Sequence, residues 1–223
     1  MKSVRNRQRG GLRNHENYQA FMEMKQAYLD DFRQRISNLA KLAQQGYAGE
    51  ATVLACCYLD ALGYFRYLPD RLESRKTFMK FMLRYGKDVD LSKVSLLILG
   101  RLVSAARNPQ GDKLLAWAKA CEANGRKHSS SRTILRRFKK DYSDPKQLTK
   151  LLNDATIVGV LYNNVRSLGV HQGRFTATNH STIEVGGISI NGERILGWLN
   201  TCFEGVLPYL KRNHRWIRFG KYA

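Results

Sequence analysis

Apolar residues recur every three or four positions along most of this chain, and this spacing is the strongest constraint on its fold. One such run extends from His15 to Gln45 and stops before Gly46. The next segment, Glu50 to Tyr67, is almost wholly apolar. Spacings of three and four are typical of helices that bury one face, and an apolar stretch of this length predicts the most buried helix. The sequence therefore predicts a helical bundle.

Further periods of the same kind predict more helices, and one segment breaks the pattern. We expect the other helices over Arg71–Tyr85, Leu91–Arg107, Lys113–Asn124, Ser131–Tyr142, Asp144–Val165 and Glu193–Lys211. The Asp144-Pro145 pair predicts a capped helix start, and GRKHSSS at 125–131 predicts a loop. Apolar and polar residues alternate around Gly186-Gly187, which predicts a hairpin near 181–192. The predicted fold class is all-α, with this one small β-hairpin.

A chain of 223 residues suits one globular domain. We predict a basic flexible tail over 1–14, a single helical domain over 15–213 with 91–140 as a candidate insertion or annex, and a basic aromatic tail over 214–223. The longest apolar runs fall short of the roughly 18 residues that a membrane span needs, so no membrane partner is predicted. The four cysteines form no C-x-x-C pair, which indicates reduced thiols and a cytoplasmic location.

The charge of the chain is large and unevenly placed. Thirty-eight Lys and Arg against 18 Asp and Glu leave a net charge of +20. Most of the excess lies in 1–14, 125–150 and 211–221, and basic patches of this kind favour a nucleic-acid partner. Each patch also has a simpler interpretation: an unspecific tail, a solvated helix face, and an aromatic tail packed on the core. The residues predicted to bind nucleic acid are Arg126, Lys127, Arg132, Arg136, Arg137, Lys139, Lys140, Lys211, Arg212, Arg215, Trp216 and Arg218.

The sequence carries no phosphate-binding loop, dinucleotide fingerprint, zinc-finger spacing or H-E-x-x-H motif. We therefore predict no metal and no cofactor. The spacings of Cys121 with His128 and of Cys202 with His214 fit no common metal site. A Cys-His nucleophile pair remains an alternative, although the cysteines lie on apolar helix faces.

One segment contains the groups needed for metal-free RNA cleavage. In LYNNVRSLGVHQGR, residues 161–174, a predicted buried helix ends in a polar cluster with Arg166 and His171. A histidine that titrates near neutrality can move the proton of the 2′-hydroxyl or of the leaving oxygen, while an arginine stabilises the charge that grows on the phosphorus.

This segment resembles the active-site motif of the HEPN ribonucleases. VRSLGVHQG is similar to their Arg-polar-x-x-apolar-His-x-Gly segment, and YLDALGYFRYLPDRLESRKTFMKFMLRYG resembles their second and third helices. The resemblance covers about 47–86 and 148–213. It implies a HEPN-like helical bundle, metal-independent endoribonuclease activity, a toxin, phage-defence or CRISPR context, and a composite site in a homodimer. It implies Arg166 and His171 as catalytic residues, supported by Asn163, Asn164 and Ser167; Ser167 stands where the family usually has Asn, Asp or His.

Alternatives remain for these residues. Arg166 and His171 also suit a role in capping a helix end, and Asp60 is either a paired structural carboxylate or a group that orients the site. On an unbroken helix, residues five apart point roughly 140° away from each other, so either Gly169 breaks the helix or two chains share the site. The predicted partners are RNA and either a second copy of the chain or a larger ribonucleoprotein complex. The main alternative function is a non-catalytic nucleic-acid-binding module.

Overall fold

The computed structural model describes the backbone of residues 2–67, 73–163, 183–185 and 188–213, and the side chains of 17–67, 73–163 and 188–213. It confirms the all-α fold class. The helices are α1 (Lys2–Gln44), α2 (Ala48–Tyr67), α3 (Ser74–Tyr85), α4 (Leu96–Ala106), α5 (Asp112–Ala123), α6 (Ser131–Phe138), α7 (Pro145–Ala155), α8 (Ile157–Val160) and α9 (Gly192–Arg212), and 3₁₀ turns cover Val89–Ser92, Pro109–Gly111 and Lys139–Asp141.

A small antiparallel hairpin lies where the sequence predicts it. Strand β3 (Ile183–Val185) pairs with β4 (Ile188–Ile190). Ile188 and Ile190 are buried while Ser189 is exposed, as expected for an alternating strand with one buried face. The predicted turn at 186–187 lies outside the described residues.

The structure also contains a strand pair that the sequence did not predict. Strand β1 (Lys93–Ser95) pairs antiparallel with β2 (His128–Ser130). The helix predicted from Leu91 therefore begins at Leu96, and the predicted loop at 125–131 was correct for 125–127 and wrong for 128–131. Each strand has three residues and ends in a serine whose hydroxyl caps the next helix. A pairing this short, between segments far apart in the chain, produces no periodicity in the sequence.

The helix predicted over Asp144–Val165 starts as expected but is interrupted. The Asp144 carboxylate accepts a hydrogen bond from the Lys146 amide at 2.8 Å, with Pro145 in the first turn. The prediction was wrong at Thr156, which is extended; its hydroxyl donates to the Asn153 carbonyl and accepts from the Gly159 amide. Threonine hydroxyls compete in this way with helical hydrogen bonds, and here the result is a new helix start.

Helix α1 begins at Lys2, so its backbone includes residues 2–14, for which the sequence predicts a flexible tail. The four arginines and one glutamine of that segment are good helix formers, and they continue the helix without an apolar period. At the other end the helix stops before Gly46, which adopts a φ of +96°. The prediction was correct at this end, since glycine accommodates a left-handed conformation at little cost.

The helices bury their apolar faces in two clusters. The first core is formed by α1, α2, α3, α8 and α9, and its largest fully buried side chains include Phe78, Phe81 and Phe203. The second core is built from residues 94–155, on β1, α4, α5, α6 and α7. Most of the candidate insertion at 91–140 lies in this second core, together with α7.

An ionic network joins α9 to the segment through which the chain leaves the first core. The Arg194 guanidinium contacts Asp88 at 2.8 Å and Asp90 at 2.6 Å, and the Trp198 indole donates to Asp88 at 2.9 Å. Burial opposes ionisation of Asp88, but the hydrogen bonds it accepts outweigh burial and hold its pKa below the ordinary value. Hydrogen bonds from Lys93 and Arg194 likewise lower the pKa of Asp90.

Because both carboxyl pKa values are lowered in the folded state, the network stabilises the protein above the ordinary carboxyl pKa of about 3.9 and loses this effect as the pH falls through the folded values. We expect Asp88→Asn to lower the free energy of unfolding by about 1–3 kcal/mol at pH 7. Urea unfolding of the wild-type protein and of Asp88→Asn, from pH 7 downwards, will measure the difference in the free energy of unfolding. The difference should shrink below about pH 4; a difference that is constant with pH would contradict the network.

Candidate nucleic-acid interface

A groove of about 540 Å³, open to solvent, lies between α6 and the first turns of α7. We call it the cationic groove. Its lining residues are Arg132, Leu135, Arg136, Lys139, Pro145, Lys146 and Thr149. Four of these seven side chains are cationic and none is acidic.

The helical spacing of α6 explains why the groove cations share one side. Arg132 and Arg136 of α6 and Lys139, which caps the C-terminus of the helix, follow at intervals of four and three residues, and this places them on one face. Ile134 and Phe138 face the other way and are buried in the second core. The burial of these two apolar side chains therefore fixes the orientation of α6 and turns Arg132 and Arg136 towards the groove and solvent.

The groove cations are not neutralised by acidic neighbours. Among the described residues, Arg132, Arg136, Lys139 and Lys146 have no carboxylate within 4.0 Å. The two acidic residues of the 125–150 patch, Asp141 and Asp144, contact other groups. Asp141 binds Lys113 at 2.8 Å, and their hydrogen bond raises the pKa of that lysine; Asp144 caps α7. The positive charge of the groove is therefore available to an anionic ligand.

Not every cation predicted in this patch lines the groove. Arg126 donates to the His128 carbonyl and the Ser129 hydroxyl, both at 3.2 Å, and so supports β2. Arg137 lies over the rings of Trp117 and Phe138, at 5.9 and 5.7 Å from their centroids. The remaining two predicted residues, Lys127 and Lys140, are exposed outside the groove lining.

Lys146 was missed, although it lines the groove. The sequence signal was present, because Asp144-Pro145 marks a helix start and the next residue must lie in its first turn. What the sequence does not show is that this turn packs beside α6. The contact between α6 and α7 brings Lys146 to the same groove as Arg136.

The C-terminal basic segment is described only as far as residue 213. Lys211 and Arg212 are exposed in the last turn of α9, and the Arg212 guanidinium donates to the Pro208 carbonyl at 3.1 Å. The ammonium of Lys25, a buried residue of α1, donates to the Lys211 carbonyl at 2.6 Å and so caps α9. Burial lowers the pKa of Lys25. Arg215, Trp216 and Arg218 lie outside the described residues.

The predicted cleavage segment is described only at its beginning. Asn163 is half-buried in a π-helical segment whose described residues are 161–163, next to Tyr162, whose ring packs on Phe78 at 5.4 Å. Asn164, Arg166, Ser167 and His171 lie outside the described residues. Asp60, half-buried on α2, accepts a hydrogen bond from the Ser74 hydroxyl at 3.4 Å. This contact fits the interpretation of Asp60 as a paired structural carboxylate.

The cysteines show little sign of nucleophilic chemistry. All four are free thiols. Burial raises the pKa of Cys202 to about 12, so this thiol is protonated at neutral pH and cannot act as a nucleophile without a base. Cys121 is half-buried and packs against the second core. Within the described ranges, no three His, Cys, Asp or Glu side chains are grouped as ligands for a metal ion.

Comparisons with known proteins found no relative of this chain. No family model matches the chain. No match was found among curated proteins or solved structures either. Of the helices in the described part of the chain, none is both long and apolar enough to cross a bilayer.

Exchange of Arg132, Arg136 and Lys139 for Gln should weaken binding of mixed-sequence RNA at every sequence alike. A plot of the logarithm of the association constant against the logarithm of the salt concentration has a negative slope. The loss of three phosphate contacts should make this slope shallower by roughly 2. A filter-binding titration at several salt concentrations measures both effects. The matched control replaces Lys41, Arg101 and Lys119, which are exposed cations outside the groove, with Gln. Equal losses in the two triple variants would show that net charge acts rather than the groove.

Proposed function

We propose that this protein binds RNA through the cationic groove. The main support for this proposal is that four cations line one open groove with no carboxylate among its lining residues. Such a surface binds phosphates and is costly for a protein to maintain without an anionic partner, because like charges repel one another. The choice of RNA over DNA rests on the resemblance of residues 161–174 to ribonuclease motifs.

We further propose that the bound RNA is cleaved by Arg166 and His171 without a metal ion. Support comes from the sequence of this segment, which places a histidine, whose side chain has an ordinary pKa near neutrality, five residues after an arginine, whose charge is permanent. Attack of the 2′-oxygen on the adjacent phosphorus breaks the bond to the 5′-oxygen of the next nucleotide. The products are a 2′,3′-cyclic phosphate and a 5′-hydroxyl, and DNA should be inert.

Cleavage in the presence of chelator is the test of this second proposal. We expect His171→Ala and Arg166→Ala each to abolish cleavage of a mixed RNA pool while RNA binding is kept, because binding is assigned to the groove. Arg9 with His15 and Arg174 with His180 show similar spacings without the same surrounding motif. Alanine variants of these two pairs are matched controls and should keep most of the activity.

Two outcomes would remove the catalytic proposal and leave the binding function. One is cleavage by His171→Ala at the wild-type rate. The other is activity that vanishes in chelator and returns with magnesium. A wild-type protein that binds RNA in the groove and never cleaves it would favour the non-catalytic RNA-binding module.

A homodimer is proposed for the same catalytic reason. Residues five apart on one helix diverge, so a second copy could supply the missing half of the site. Light scattering over a range of concentrations should give a mass of twice 25.6 kDa. A monomer of 25.6 kDa that still cleaves RNA would contradict the two-chain site. The four free thiols and an RNA partner are also consistent with a cytoplasmic location.

A further inference from the structure

Among the residues that the structure describes, those that line the cationic groove include no aromatic side chain. The groove lining contains four cations, two apolar side chains and one threonine. Residues 88–155, which include the whole second core, contain three aromatic side chains. Phe138 and Tyr142 are each only 4% exposed, and Trp117 is half-buried.

Trp117 is also occupied by other groups. Its ring lies 5.3 Å from that of Phe138, and the Arg137 guanidinium lies over it at 5.9 Å. These two neighbours lie against the indole and leave it half-buried. In the described part of the chain, the groove lining therefore offers cations for phosphates and no aromatic platform for bases.

This distinction matters because the two forms of RNA are bound in different ways. Proteins that hold single strands gain about 1–3 kcal/mol for each base stacked on an aromatic ring. Double-helical RNA keeps its bases paired and stacked inside and presents its phosphates to the protein. A double helix also carries a higher density of charge along its axis than a single strand, so cations alone attract it more strongly.

From these contacts we infer that the cationic groove binds the phosphate backbone of a double-helical segment of RNA, independently of base sequence. This inference rests on the proposed RNA-binding function. Arg132 and Arg136 are one helical turn apart, at a rise of about 6 Å along α6. A rise of this size lets both side chains reach the same phosphate backbone. Lys146 approaches from the other side of the groove.

The test compares three ligands of equal length: an RNA duplex, an unpaired oligouridine and a DNA duplex of the same base sequence as the RNA duplex. Fluorescence anisotropy at one fixed salt concentration gives the three dissociation constants. The protein is the full chain, with His171→Ala as the background so that no ligand is cleaved. Thermal unfolding of each variant checks that it is folded.

We expect the RNA duplex to bind at least about tenfold more tightly than oligouridine, because the groove contributes only charge contacts. In the variant with Arg132, Arg136 and Lys139 replaced by Gln, this preference should fall to about twofold or less. The control variant with Lys41, Arg101 and Lys119 replaced by Gln should keep it. Two RNA duplexes of unrelated sequence should bind within about threefold of each other, because phosphate contacts carry no sequence information.

Several results would overturn the inference while the RNA-binding function stands. In the first, oligouridine binds as tightly as the RNA duplex. In the second, the preference for the RNA duplex over oligouridine is kept in the variant that lacks the groove cations. In the third, the DNA duplex binds about tenfold more tightly than the RNA duplex. Similar binding of the two duplexes supports recognition of phosphates. If no RNA binds in any form, the proposed function itself fails.

Discussion

The Arg194 guanidinium binds Asp88 and Asp90 at the point where the chain passes from the first core to the second. Strand β1 and helix α4 follow directly, so their position depends on this contact. The chain returns at Thr156, whose hydroxyl ends one helix and begins the next. Between these two points lies the whole second core, which is therefore built from one continuous stretch of chain.

The cationic groove follows from the way this second core is closed. Strand β2 pairs with β1, and α6 starts at the serine cap that ends β2. Burial of Ile134 and Phe138 then leaves the basic face of α6 beside the start of α7. Packing energy from the apolar face holds the cations close together, against a repulsion that would otherwise separate them. An anionic ligand would reduce that repulsion, and this is the physical reason to propose that the groove binds RNA.

Local signals in the sequence were reliable where the structure depends on nearby residues. The alternating isoleucines correctly predicted the hairpin of β3 and β4, the Asp144-Pro145 pair predicted the start of α7, and Gly46 predicted the end of α1. The failures occurred where distant segments meet. The pairing of β1 with β2 joins residues about 35 positions apart. The break at Thr156 coincides with a β-bridge between Thr156 and Val94, and neither contact produces a period in the sequence.

The same division holds for the candidate site. The sequence by itself determined that the protein is helical, that its charge is concentrated in patches, and that Arg132, Arg136 and Lys139 share a helix face, because each of these depends on composition or on spacings within one turn or two. Only the tertiary structure decided that Lys146 joins them, that Arg126 and Arg137 contact neighbouring groups elsewhere, and that the three aromatic rings of the second core are buried or half-buried. These outcomes depend on how α6 packs against α5 and α7, and packing between helices is set by the complementary shapes of side chains that lie far apart in the sequence.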